Sequence, residues 1–380
     1  MRISCMGMMS TLKRALKHQA AVKAAVKAAG AFSVAAAAIF APLSAYAQTP
    51  ESAESYGVAP WTEAVVSVTD LDESTAWLIK DGGWRIVASG AVTRSELEYW
   101  KLPKAVSGIF RKICAAHATT GCIRFVRFDG AKDQRPIRLA ARPWDTGGIF
   151  SIMLRSEDTQ GLFDAAIARG WWAESPPYAF SFGTSDLLNV VIRAPHGVNY
   201  ALYERKSPAF TGFPLGRLSQ AFNTMRMVKD QSASLAWYRD RLGMKTLFDA
   251  PFTDPEPRAN NFSVPANLAT TLVRRAAVVQ PVLPTKDGGG EDGRIELMEF
   301  EGFEGRDYSA HASPPNLGIL SVRYPVRDLA RYRAMLKSNG VTPAYSADAV
   351  GVAALGDTLN KDMIALRDAD GNLTEFYNVE

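Results

Sequence analysis

The feature that most constrains the fold is a unit of one strand, one helix and further strands that recurs along the chain. The copies begin near residues 63, 149, 223 and 317. Three of the helices are followed closely by glycine (Gly170, Gly243 and Gly340), which is typical of a helix end. Such self-similarity indicates a repeat architecture, so we expect an α+β fold built from four related modules.

Composition excludes several classes of protein. The chain has 380 residues, of which 47% are hydrophobic and 22% charged. That length and apolar content suit about two globular domains with sizeable cores and exclude a disordered chain. The net charge of +4 is concentrated in the first 47 residues, which hold six basic residues and no acidic one. The near-neutral remainder lacks the concentrated basic surface of nucleic-acid-binding proteins, so we expect no nucleic-acid partner.

The first 47 residues have the organisation of a secretory signal peptide. A basic, alanine-rich stretch precedes an apolar stretch from Ala29 to about Ala41, and Ala45 and Ala47 fit the A-x-A cleavage pattern. The apolar stretch is shorter than the ~20 residues that cross a bilayer. We therefore expect cleavage after Ala47, a flexible mature end over residues 48–60, and a periplasmic or secreted protein without stable membrane insertion.

Export places the two remaining cysteines, Cys114 and Cys122, in an oxidising compartment. Seven residues separate them, and this spacing matches no zinc motif. The sequence leaves two alternatives open. The cysteines form a disulfide, or they remain thiols that pack as small core residues.

Three segments carry a resemblance to a known family. Thr224–Met244, TMRMVKDQSASLAWYRDRLGM, resembles the opening module of glyoxalase I (lactoylglutathione lyase). Arg367–Tyr377, RDADGNLTEFY, resembles the last hairpin of the same superfamily, and Arg193–Glu204, RAPHGVNYALYE, looks like a degenerate copy of that hairpin. The chain thus resembles the vicinal oxygen chelate superfamily of glyoxalases, bleomycin resistance proteins and extradiol dioxygenases.

The resemblance implies four βαβββ modules paired into two domains, each a curved mixed sheet around a cup. Pairing the modules in chain order gives a degenerate domain over residues 61–206, a connector over residues 207–220 and a glyoxalase-like domain over residues 221–380. In the superfamily, a divalent metal in the cup usually chelates neighbouring oxygens of a small-molecule substrate.

Transfer of the superfamily's metal ligands, position by position, gives Asn223, Glu296, Asn316 and Glu375. The resemblance implies that these side chains converge in one cup and hold a metal, with Glu296 or Glu375 as the catalytic group that moves a proton. Ligation by oxygen atoms alone suits Mg, Ca or Mn better than Zn or Ni. The divalent metals that we expect as candidates for this site are Mg, Mn, Ni and Zn. In the alternative, each carboxylate pairs with a nearby arginine.

The first half matches the ligand pattern less well. The same positions fall on Glu63, Arg124 and Ala201, with no clear residue in the third strand. An arginine at a metal position repels the cation. We therefore expect the first half to be structural, or a cup without metal.

Two classes of function stay open. The first is an exported lyase or isomerase that acts on a small oxygen-bearing molecule through a divalent metal. The second is a metal-free protein that sequesters a small hydrophobic ligand. An extradiol dioxygenase is disfavoured because it needs two His and one Glu for iron, and after residue 47 the chain has only His117, His196 and His311.

Overall fold

The structure is a computed structural model that describes residues 51–138, 141–283, 292–355 and 360–379. The predicted signal peptide and its cleavage site lie outside the described residues. Within them, no helix is long and apolar enough to cross a lipid bilayer.

The described residues form strands and short helices in the repeating order that the sequence predicts. The strands are β1 (Glu63–Ser67), β2 (Arg85–Ala91), β3 (Ser107–Cys114), β4 (Cys122–Asp129), β5 (Ile149–Ser156), β6 (Trp172–Ala173), β7 (Tyr178–Phe182), β8 (Ser185–Arg193), β9 (Asn199–Ser207), β10 (Leu218–Met227), β11 (Lys245–Phe252), β12 (Arg274–Gln280), β13 (Arg294–Phe300), β14 (Gly318–Val326), β15 (Tyr345–Gly351), β16 (Asn360–Arg367) and β17 (Leu373–Asn378). The α-helices are α1 (Leu71–Lys80), α2 (Arg94–Tyr99), α3 (Thr159–Ala168), α4 (Gln231–Ala236), α5 (Ala266–Ala269) and α6 (Leu329–Ser338). A π-helical turn, Trp237–Arg241, continues α4, and short 3-10 helices lie at Ala53–Tyr56, Pro195–Gly197, Ser309–His311 and Ala353–Leu355.

An aspartate caps the main helix of each module. Each of these side chains accepts a hydrogen bond of 2.9–3.0 Å from the backbone N–H three residues later. Such a cap stabilises a helix start by about 1 kcal/mol. The capping residues are Asp70, Asp158, Asp230 and Asp328. Seven residues before each of them, at the same point of each first strand, lie Glu63, Ser151, Asn223 and Ser321. This constant spacing aligns the four modules residue by residue.

The strands form two curved sheets, which confirms the predicted α+β fold class. Among the described residues, the first and fourth modules share an eight-stranded sheet of order β15-β16-β17-β14-β1-β4-β3-β2. The second and third modules share a nine-stranded sheet, β11-β12-β13-β10-β5-β9-β8-β6, with β7 paired to β8. We call the concave face of the first sheet cup 1 and that of the second sheet cup 2.

The predicted pairing of modules in chain order is therefore wrong, because residues 61–206 and 221–380 do not form separate structural units. The first module pairs with the last, and the two middle modules pair with each other. Charge complementarity accounts for the outer pair: β1 and β14 are antiparallel, and buried Glu63 lies opposite buried Arg323. If the modules paired in chain order, Glu63 and Arg323 would lie in different sheets, and each charge would be buried without its partner.

The two sheets pack together through a shared core that includes α1, α3, α4 and α6. A buried polar contact crosses this core: Arg226 on β10 donates to Thr374 Oγ1 on β17 at 3.0 Å. Tyr238 donates to Asp368 at 2.6 Å beside it. Because alternate residues of a strand face opposite sides, Asn223 and Glu375 point away from this core and into different cups.

The predicted flexible end is packed from Ala53 onward, so that prediction is wrong for these residues. Ala53 is fully buried, and its N–H donates to the Gly243 carbonyl at 2.8 Å. The Tyr56 ring contacts the Tyr332 ring, and Val58 forms a β-bridge with Val326. Apolar residues within this polar segment therefore attach it to the third and fourth modules.

Cys114 and Cys122 form a disulfide between the end of β3 and the start of β4, which confirms the first of the two alternatives. Because the closed loop is short, its chain-entropy contribution is roughly 2–3 kcal/mol.

We expect the double variant Cys114→Ala/Cys122→Ala to lose that much free energy of unfolding in urea titrations under oxidising conditions. The parent in reducing buffer should match the variant, and equal stability of the oxidised parent and the variant would contradict this account.

Candidate functional site

Cup 1 contains a buried network of three carboxylates and three cations. All six side chains belong to residues that are 0–8% exposed. The carboxylates are Glu63, Glu96 and Glu375, and the cations are Lys112, Arg124 and Arg323. Equal numbers of opposite charges let the network persist out of water, where an unpaired charge would be costly.

Arg323 lies at the centre of this network and contacts a carboxylate with each of its nitrogens. Nη1 lies 3.1 Å from Glu63 Oε1, Nη2 lies 2.7 Å from Glu96 Oε1, and Nε pairs with Glu375. Burial alone would raise the pKa of Glu63. The charges of Lys112, Arg323 and Arg124 outweigh burial and hold that pKa at about 2.

Helix α2 closes cup 1 from above the sheet. Its Glu96 pairs with both Arg124 and Arg323, and the following Trp100 donates from Nε1 to Glu375 Oε1 at 2.9 Å. Glu96 and Glu375 are both fully buried. The chain's own helix thus occupies the space in which a cup would receive a ligand.

The floor of cup 2 carries three oxygen-bearing side chains, Ser151, Asn223 and Glu296. Asn223 Nδ2 donates to Glu296 Oε2 at 3.2 Å. In the pairing register, Ser151 lies opposite Met225, and Met225 lies beside Glu296. Ser151 Oγ and Asn223 Oδ1 are buried and have no hydrogen-bond partner among the described residues. This floor therefore contains two buried polar atoms whose hydrogen-bonding capacity is unmet among the described residues.

Glu296 is the acidic group of this floor. Burial raises its pKa to about 7, against the opposing effects of the Asn223 hydrogen bond and the Arg294 charge. The residue is only half-buried, so solvent reaches it. Near neutral pH, Glu296 therefore exists in both protonation states and can accept or donate a proton.

Apolar and aromatic side chains surround the floor of cup 2. One wall comes from the insert between β11 and β12, residues 253–273, whose Phe262 ring contacts the Phe150 and Phe300 rings. At the opposite edge, the connector between β9 and β10 places Phe210 over Arg155, 4.2 Å from the guanidinium carbon to the ring centroid. The predicted connector, residues 207–220, matches this segment apart from its ends, which belong to β9 and β10.

The four side chains that the sequence predicts as metal ligands do not converge, so that prediction is wrong. Asn223 and Glu296 meet in cup 2, whereas Glu375 lies in cup 1 and pairs with Arg323. For Glu375 the alternative of an arginine partner is confirmed. The physical cause is the pairing of the modules, which puts the third and fourth modules in different sheets.

Asn316 lies in the segment before β14, outside both cups. Its Oδ1 accepts from Arg135 N at 2.9 Å, and its Nδ2 donates to the His311 carbonyl at 3.0 Å. The seven-residue spacing before Asp328 assigns the equivalent position to Ser321 instead. The same seven-residue spacing before the capping Asp identifies the equivalent residue on the first strand of every module.

Comparison with known proteins agrees with this architecture. Residues 221–376 match the family model of the Glyoxalase/Bleomycin resistance protein/Dioxygenase superfamily. Glyoxalase I from Zea mays has a TM-score of 0.55 at 13% identity, with 84% of this chain and 92% of that chain covered. A mutant of the same enzyme gives a TM-score of 0.54 at 14% identity, with the same shares of the two chains covered. No curated protein sequence matches the chain.

The two sheets and their cups match a two-domain vicinal oxygen chelate fold. Over residues 221–376, the chain is similar to the glyoxalase, bleomycin resistance protein and dioxygenase superfamily. At such low identity, the structural likeness shows the fold alone. Members of this superfamily bind small-molecule substrates and typically a divalent metal.

The residues present do not fit a resident divalent metal in either cup. In cup 1, the Arg323 guanidinium already lies between the carboxylates. In cup 2, the floor described above offers one carboxylate, Glu296, with the neutral oxygens of Ser151 and Asn223, which is too little negative charge for a divalent ion. Among the described residues, no group of three His, Cys, Asp or Glu side chains is placed to hold a metal ion.

Proposed function

We propose that cup 2 is the ligand site, and that it binds a small, largely apolar molecule with neighbouring oxygen groups. The observation that carries this proposal is the pair of unsatisfied buried atoms, Ser151 Oγ and Asn223 Oδ1, beside the Glu296 carboxyl. A buried polar atom without a partner costs about 1–3 kcal/mol. A ligand whose hydroxyl groups bond to these atoms recovers that free energy.

The walls of cup 2 support the apolar part of this ligand description. Phe150, Met153, Met225 and Phe300 are at most 5% exposed and belong to one apolar cluster around the floor. Apolar walls with a few placed polar groups are typical of small-molecule sites, in which the walls provide affinity and the polar groups provide orientation. This reading corresponds to a metal-free protein that sequesters a small hydrophobic ligand.

A second candidate function is a metal-independent lyase or isomerase reaction in the same cup. It is favoured by the Glu296 pKa of about 7, which suits a general base at neutral pH. In this function, Glu296 takes a proton from a carbon next to a ligand carbonyl and returns it at another atom. Asn223 donates to the carboxyl and holds it in place.

We expect ligand binding to depend on the floor of cup 2. The probes are aromatic and aliphatic vicinal diols and α-hydroxyketones, screened by isothermal titration calorimetry in EDTA. Asn223→Ala and Glu296→Gln should each weaken binding of any hit by at least about tenfold, the equivalent of one good hydrogen bond. Glu301→Gln, whose carboxylate pairs with Arg275 on the surface, is the matched control and should leave binding unchanged.

Two further outcomes decide between the candidates. If a bound α-hydroxyketone exchanges its α-hydrogen for deuterium in the parent and not in Glu296→Gln, the enzymatic function is supported. If it binds without exchange, the sequestering function stands. Binding that survives both floor substitutions, or no binding by any probe, would refute cup 2 as the ligand site.

We also propose that the chain is exported and cleaved after Ala47. The basic and apolar pattern of the first 47 residues supports this, and so does the Cys114–Cys122 disulfide, because disulfides persist in oxidising compartments. Sequencing of the exported protein should read Gln48 as its first residue. Recovery of the soluble protein with an intact Met1 would contradict the proposal.

A further inference from the structure

We propose that the insert between β11 and β12, residues 253–273, is a lid that closes cup 2, and that Asn261 latches this lid to β8. The inference rests on the proposal that cup 2 is the ligand site. β11 and β12 lie at one edge of the nine-stranded sheet, and four strands separate β12 from β8. Asn261 of the insert nevertheless contacts Asn189 and Val191 on β8. The insert therefore crosses from one side of cup 2 to the other.

Asn261 fills a gap in the edge of β8. Neither β6 nor β7, the strands that pair with this edge, has a residue opposite Val191. The Val191 N–H donates instead to Asn261 Oδ1 at 3.2 Å, and Ser175 Oγ donates to the same oxygen at 3.4 Å. Asn261 Nδ2 donates to Asn189 Oδ1, and the whole residue is buried. Because Asn261→Ala would leave these buried polar groups without partners, it should disfavour the closed lid.

The side of the lid that faces the floor is apolar. Asn260 Oδ1 accepts hydrogen bonds from the N–H groups of Phe262 and Val264, both at 3.1 Å, and so fixes the turn that carries them. Both side chains belong to the apolar cluster around the floor. The Phe262 ring centroid lies 5.4 Å from that of Phe300 and 6.3 Å from that of Phe150. A molecule beneath the closed lid is therefore covered by apolar side chains, which favours an aromatic or aliphatic body and shields it from water.

Side chains rather than backbone pairs hold the lid to the second module. In the described part of the chain, no backbone–backbone hydrogen bond joins residues 253–273 to β6, β7 or β8. Besides the latch residue, Ser263 donates to Glu174, and Arg258 donates to the Ala179 carbonyl at 3.1 Å. A segment without backbone pairing to its neighbour can open locally at a smaller cost than global unfolding. The lid can therefore open as a unit when these side-chain contacts break.

The test measures access to the floor of cup 2 with a thiol placed there. Ser151→Cys reports on cup 2, and Ser321→Cys, at the equivalent position of the fourth module, reports on cup 1 as the matched control. Both variants also carry Cys5→Ser, so that the other cysteines are those of the Cys114–Cys122 disulfide. The rate of alkylation by iodoacetamide in native buffer is followed by mass spectrometry. Asn261→Ala should speed alkylation of Ser151→Cys at least about tenfold, the equivalent of one good hydrogen bond, and leave that of Ser321→Cys unchanged.

Thr271→Ala, which changes an exposed residue of the same insert, should leave the alkylation rate at its parent value. If Asn261→Ala does not fold, Ser263→Ala, which removes the contact with Glu174, takes its place and should also speed alkylation of Ser151→Cys. Equal acceleration at both reporters would show a global loss of stability and overturn the lid. So would no acceleration at Ser151→Cys in either variant, or alkylation of that thiol at the rate of an exposed one while Asn261 is present. Alkylation needs no ligand, so failure of every probe to bind cup 2 would refute the ligand site and leave the lid in place.

Discussion

Replacing Arg323 with alanine should lower the free energy of unfolding in metal-free buffer by about 3–5 kcal/mol, the usual cost of leaving a buried charge without its partner. Three fully buried carboxylates contact this guanidinium. After its removal, the hydrogen bond from Trp100 Nε1 is the one side-chain contact that Glu375 retains within the part of the chain that the structure describes. Urea titration at pH 7 measures the loss, and Arg127→Ala should change the stability by less than about 1 kcal/mol, as expected for an exposed pair.

A compensating variant tests whether the cost of Arg323→Ala is electrostatic. Arg323→Met combined with Glu375→Leu removes one charge of each sign and leaves the Lys112–Glu63 and Arg124–Glu96 pairs. Because buried ion pairs are often replaced by apolar residues at little cost, we expect the double variant to be more stable than Arg323→Ala. If the double variant is as unstable as the single one, lost packing rather than unpaired charge explains the effect.

Glu296→Gln should be more stable than the parent at pH 8 and about equally stable at pH 4.5. The pKa of Glu296 is raised to about 7 in the folded protein, from an ordinary value of 4.5. The folded state therefore binds the proton more tightly, and the parent loses stability as pH rises from 4.5 through 7. The pKa shift corresponds to a loss of roughly 3 kcal/mol of unfolding free energy at most. Solvent screening at this half-buried side chain makes the loss smaller.

The measurement is urea unfolding of the parent and of Glu296→Gln at pH 4.5, 6 and 8. Glutamine does not titrate, so the stability difference between the two proteins isolates this carboxyl. Glu301→Gln provides the control, since its carboxylate lies in an exposed pair with Arg275. A difference that does not change with pH would show that Glu296 ionises normally and would remove the support for its role as a base.

The sequence predicts the modules well and their partners poorly. Short-range signals identify β1, β5, β10 and β14, and an Asp followed by an apolar helical face identifies each main helix. An edge strand such as β11 is harder to identify from the sequence, because none of its residues is buried and the core therefore imposes no apolar pattern on it. The pairing of β1 with β14 depends on contacts between residues 260 positions apart, which local patterns do not encode.

The candidate site was predicted in part. Asn223 and Glu296 could be identified because their segment resembles the superfamily closely, and they do meet in one cup. Glu375 was assigned from an equally close resemblance, but the resemblance does not include Arg323 or Trp100, which neutralise and cover it. Ser151 had no motif of its own. Only the spacing to Asp158 and the register of β5 against β10 place it on the floor of cup 2.

The nesting of one pair of modules inside the other sets an order for assembly of the chain during synthesis. Both halves of cup 2 come from one continuous stretch, from β5 to β13, whereas cup 1 joins β1 to strands at the far end of the chain. A growing chain can therefore complete the inner sheet while β1 to β4 still lack their neighbours. The early segment holds Glu63, Glu96 and Arg124, whose cationic partner Arg323 is synthesised among the last sixty residues. Premature termination before β14 would release a chain in which cup 2 is complete, while the edge of β1 that pairs with β14 in the full protein is exposed and can serve as a template for aggregation.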